Sequence, residues 1–125
     1  MLDHSLIKTA LIVFLALFFF ANGINHFLNP HVLHEYMEYR ELNRPKLLVF
    51  LSGLLLIICG PLLLISNYSL QVYAAYTLGL FVLVAAFLVH SFWKETDKHK
   101  KMLEIQNFIK NFVIFFEMIY LAGTF

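Results

Sequence analysis

Apolar residues fall into four long runs, from about Leu6 to Leu28, Leu47 to Ile65, Leu70 to Trp93 and Phe108 to Ala122, with short polar connections between them. A helix that spans a bilayer takes roughly 17 to 25 predominantly apolar residues. The first three runs reach that length alone, and the fourth reaches it when Met102, Leu103 and Ile105 extend it as a helix. The expected fold is all-α: an integral membrane four-helix bundle, one domain over 1–125, with spans at about 6–28, 47–65, 70–93 and 106–124.

The first connection carries its own periodicity. Asn29 then Pro30 reads as an N-cap with proline at the first helical position. Val32, Leu33, Tyr36 and Met37 then recur at helical spacing against His34, Glu35, Glu38 and Glu41. This predicts a short interfacial helix between spans 1 and 2, lying on the membrane surface, ending before Pro45 and roofing whatever lies beneath. In the third connection, Asp97 or Thr96 is placed to cap a helix running into the fourth span. Gly53 and Gly60, seven apart with Pro61 behind, predict close packing and a kink.

Composition agrees with the pattern. The chain is 61% hydrophobic and 14% charged, with a mean hydropathy of +0.77, against roughly 45 to 50% apolar and about 25% charged for soluble domains. The first run does not read as a cleaved signal, because apolarity continues past Ala21 through Ile24, Phe27 and Leu28. A single cysteine, Cys59, excludes an intrachain disulfide, and a net charge of +1 gives no reason to expect a nucleic-acid partner. Arg40, Arg44, Lys46, Lys94, Lys98, Lys100, Lys101 and Lys110 lie on one side of the expected membrane and Lys8 alone on the other. Basic residues in short loops stay in the cytoplasm. Both charged connections are therefore expected inside, with the termini and the turn Ser66 to Ser69 outside.

Polar side chains inside the spans converge on that same face. Asn22, Asn25 and His26 close the first span, His90 and Trp93 close the third, and Lys110 and Asn111 open the fourth. Asn22, Asn25, His26 and Asn29 share one helical face. The expectation is a common cavity, with histidines, asparagines and lysine as donors to a bound polar group. Helix-to-helix hydrogen bonding and interfacial anchoring are the plainer alternatives. Glu117 sits deeper, in line with Lys110 but about 10 Å away along the axis, so it must pair with another helix, meet a ligand or stay protonated. His34-Glu35-Tyr36-Met37-Glu38 lacks the second histidine of a zinc-protease pattern, and no metal site or catalytic nucleophile is expected.

Gly23-Ile24-Asn25-His26-Phe27-Leu28-Asn29-Pro30, then Phe87 to Trp93 with His90 and Trp93, then Phe108-Ile109-Lys110-Asn111 together resemble the DoxX family. Two departures stand out: the second span has no acidic residue, and Phe112 to Phe116 replaces the glycines that often follow the Lys-Asn pair. The resemblance implies a four-helix protein of the bacterial or archaeal plasma membrane. It also points to quinone-linked oxidases and thiosulfate:quinone oxidoreductases, whose small subunit gave the family its name. Three readings follow. One is a membrane subunit or accessory protein whose pocket holds a quinone headgroup, with a redox partner subunit or a second copy beside it in the lipid bilayer. Another is a solute or proton transporter using Glu117 and the histidines, and the third is an assembly factor without ligand chemistry.

Overall fold

The computed structural model describes residues 4–125. Helix α1 spans His4–Leu28, α2 Pro30–Tyr39, α3 Pro45–Leu62, α4 Tyr68–Leu88 and α5 Lys98–Thr124, with a 3-10 turn at Phe92–Lys94 before α5. The four long helices have the length and apolarity to cross a bilayer. The chain is an all-α multi-pass membrane protein. Phe14, Leu17, Leu80 and Phe116 are each at least 60% exposed on its outer surface, which lipid accommodates and water does not.

Local chemistry sets the helix ends. Pro30 and Pro45 open α2 and α3, where the missing N–H has no intrahelical role. The Asn67 and Asp97 side chains cap α4 and α5, each accepting from the backbone N–H three residues on at 3.1 Å. Asn29 holds the N-cap position of α2, but its amide instead donates to Asn25 Oδ1 at 2.6 Å. Pro61 lies in the last turn of α3, which ends one residue later, so this proline stops the helix instead of kinking it. Likewise α4 ends at Leu88, short of the expected 93, and His90 and Ser91 lie in non-helical backbone.

The long helices pack as two close antiparallel pairs, α1 with α3 and α4 with α5. Glycine brings the first pair together: a Cβ on Gly23 would stand 2.9 Å from the backbone nitrogen of Ile57, and one on Gly53 2.9 Å from the Cβ of His26. Larger side chains fill the space between the pairs, with Phe19, Leu78, Met118 and Leu121 fully buried. At one end Lys8 donates to the Thr124 carbonyl and lies 5.6 Å over the Phe125 ring. At the other end the pairs enclose a cavity, and α2 lies across it.

Candidate functional site

The cavity measures about 330 Å³ and takes residues from all five helices. Phe81, Val82, Leu56 and Ile114 make apolar walls, and Leu33, Tyr36 and Met37 of α2 form the roof. Asn22, His26, Ser52, His90, Lys110 and Asn111 supply the polar lining. His26 Nδ1 donates to the Asn22 carbonyl at 2.7 Å, which leaves Nε2 of the neutral ring as a free acceptor. The Asn22 amide donates to the Phe18 carbonyl at 2.8 Å, and Ser52 Oγ donates to that of Val49 at 3.1 Å. Asn111 is different. It is 7% exposed, and among the described residues its side chain has no hydrogen-bond partner. Its amide lies at the wall of the cavity, while the fully enclosed side-chain atom without a partner among the described residues is Ser91 Oγ.

Behind His90 stands a buried charge cluster. Arg40, the residue that caps the C-terminus of α2, pairs through Nη1 with Glu95 Oε1 at 2.9 Å and through Nη2 with Glu104 Oε2 at 2.5 Å. Its Nε donates to the Val89 carbonyl, freed by the early end of α4, at 2.7 Å. The three charged side chains are 3 to 8% exposed. Tyr39 donates to Glu95 Oε2 at 2.9 Å, and Asn107 donates to Glu104 Oε1 at 3.1 Å. His90 Nδ1 lies 3.4 Å from Glu104 Oε1 and 3.5 Å from Tyr36 Oη. Burial tends to lower the Arg40 pKa, but the bonds to Glu104 and Tyr36 outweigh it and keep the guanidinium above its ordinary value. Burial first, then the Glu104 carboxylate, push the Tyr36 phenol well above its usual value, so Tyr36 acts as a neutral hydroxyl. A second pocket of about 280 Å³, lined by Tyr36, Tyr39, Arg40, Glu95, Lys100, Leu103 and Glu104, lies on the far side of the cluster.

The structure therefore gathers Asn22, His26, His90, Lys110 and Asn111 into one cavity and leaves three other expected residues outside its lining. Asn25 faces outward and holds Asn29. Trp93 is half-exposed and packs on Phe87, Phe92 and Phe108 with ring centroids 5.2 to 6.2 Å apart, because the backbone turns away after Leu88. Glu117 is half-buried on the flank of α5 and has no bonded partner among the described residues. The cluster of Arg40, Glu95 and Glu104 was missed in the sequence, where Arg40 counted only as a loop charge. Two signals were there. Arg40 continues the stripe Leu33, Tyr36, Met37, and Glu104 continues the inward stripe Asn107, Asn111, Ile114 and Met118 by one turn.

The DoxX family profile matches residues 9–91, from the second turn of α1 to the break after α4. That region contains Asn22, His26, Arg40 and His90, while Glu104, Lys110 and Asn111 lie beyond it. No curated protein and no solved structure matches the chain.

Proposed function

The chain belongs to the DoxX family, and on that premise we propose that it is a small membrane subunit or accessory protein of a quinone-linked redox system, its cavity receiving the quinone headgroup. A bound quinone supplies two carbonyl oxygens and the capacity to take up electrons and protons. The observation that supports this reading most is Asn111, a buried residue with no side-chain partner among the described residues, at the wall of a cavity that is otherwise mostly apolar. Lys110 offers a second donor and His90 a third, the first two carried by α5 and the last by the non-helical segment after α4. A volume of about 330 Å³ falls at the lower end of the roughly 300 to 1,000 Å³ of small-molecule sites, which suits one ring with its tail left in lipid.

The same reading puts the protein in a plasma membrane with both termini outside. Arg44, Lys46, Lys94, Lys98, Lys100 and Lys101 remain exposed at the α2 end, so the basic asymmetry persists after Arg40 is taken up in ion pairs.

The test is binding of 1,4-naphthoquinone to the protein in nanodiscs, measured by isothermal titration, alongside mass spectrometry of what co-purifies in mild detergent. Asn111→Leu is expected to weaken binding about tenfold, the loss of one good hydrogen bond of roughly 1.4 kcal/mol. Lys98→Ala and Lys101→Ala are expected to leave it unchanged. Equal losses at all three positions would reduce the effect to surface charge and end the cavity reading. Solute uptake in liposomes that Asn111→Leu abolishes, without any naphthoquinone binding, would favour a transporter.

A further inference from the structure

Two separate pockets meet at one imidazole–carboxylate contact. His90 lines the intramembrane cavity and Glu104 lines the second, more open pocket, and the two side chains lie 3.4 Å apart. Tyr36 lines both pockets and stands 3.5 Å from the same ring nitrogen. Charge counting gives the contact a direction. One guanidinium, Arg40, faces two carboxylates, Glu95 and Glu104, so the cluster holds one negative charge in excess and has room for one added proton. Lone ion pairs need no third charge of this kind, and a buried uncompensated charge is costly. The other groups facing the ring are Lys110 from α5 and, across the cavity, His26 from α1, while α3 brings only the Ser52 hydroxyl.

We propose that His90 and Glu104 form a proton path joining the intramembrane cavity to the pocket beside Leu103 and Lys100. Its purpose, protonating the ligand in the cavity, rests on the functional reading above, but the path itself does not require a ligand. Water in the outer pocket protonates Glu104, which passes the proton to Nδ1 of neutral His90. The imidazolium then releases its other proton from Nε2, which has no partner among the described residues, to an acceptor in the cavity. Glu104 returns to the carboxylate, and a half-turn of the ring presents the bare Nε2 to Glu104 for the next proton and Nδ1–H to the cavity, so that a second pass and a second half-turn restore the starting state. One proton enters and one leaves, with no change in oxidation state. Arg40 and Asn107 are positioning residues that hold the Glu104 oxygens.

The experiment uses the full chain in nanodiscs with ¹⁵N-labelled histidine and no added ligand. The His90 ring signals are identified by their loss in His90→Gln, and the rate of exchange between protonated and neutral rings is measured by relaxation dispersion. Leu103→Trp, which obstructs the outer pocket and alters no ionisable group, is expected to slow His90 exchange at least tenfold and leave His26 unchanged. Glu104→Gln is expected to slow it to a similar extent, and Glu104→Asp to recover part of the rate. Unaltered His90 exchange in Leu103→Trp overturns the proposal. That variant decides alone if Glu104→Gln fails to fold, because Leu103 is exposed. Failure of naphthoquinone to bind would remove the ligand reading and leave these ring measurements standing.

Discussion

Replacing Arg40 by methionine tests the charge cluster most directly. The substitution roughly keeps the packed stem but strips donors from Glu95, Glu104 and the Val89 carbonyl, which Arg40 now holds at 2.9, 2.5 and 2.7 Å. Breaking a buried ion pair by removing one partner costs roughly 3 to 5 kcal/mol. The pocket of about 280 Å³ beside the cluster admits water to the orphaned carboxylates, so the lower end applies, about 3 kcal/mol or roughly a hundredfold in the unfolding equilibrium. Neutralising the whole set, as in Arg40→Met with Glu95→Gln and Glu104→Gln, removes the uncompensated charge and is expected to return to within about 1 kcal/mol of the parent. SDS titration followed by far-ultraviolet circular dichroism reads both. If Arg40→Met loses less than about 1 kcal/mol, or the triple variant is no better than the single one, the charges are solvated and the burial argument is wrong.

Three further outcomes follow from the same geometry. Gly53→Val forces a side chain to within 2.9 Å of His26 Cβ and Phe27 Cε2 and should lower stability by about 1 to 3 kcal/mol through overpacking, while Gly123→Ala, with nothing within 4 Å, should be neutral in the same melt. Because the folded state holds the Tyr36 phenol above its ordinary 10.0, the corresponding stability is intact below that pH and declines as pH rises beyond it; Tyr36→Phe should lessen this alkaline loss in a pH series of thermal melts. A reporter that fluoresces only in the cytoplasm, fused after Phe125, should stay dark, and a bright fusion would reverse the proposed orientation.

The membrane class and the helices were legible in the sequence because lipid leaves little choice. Backbone groups in hydrocarbon must bond internally, so a long apolar run becomes a helix whatever its neighbours are. The stripe of Leu33, Tyr36 and Met37 predicted the surface helix, and Asp97 marked the start of α5, for equally local reasons. The convergence of Asn22, His26, His90, Lys110 and Asn111 was also readable, since antiparallel helices with short connections bring these ends to one depth.

What the sequence did not determine depended on side-chain direction and on where backbone stops being helical. The break after Leu88 gives Arg40 a free carbonyl at Val89, turns Trp93 outward into a cluster of phenylalanines and sets His90 beside Glu104. No local signal at Val89 or His90 forces that break. It is held by bonds from Arg40 just after α2 and from Glu104 of α5, 49 and 14 positions away along the chain. Charges in the connections looked solvated because periodicity alone does not reveal a partner on another element. Only packing the two helix pairs together converts Arg40, Glu95 and Glu104 from loop charges into a buried cluster, since desolvation and pairing are properties of the assembled ends and not of any one helix.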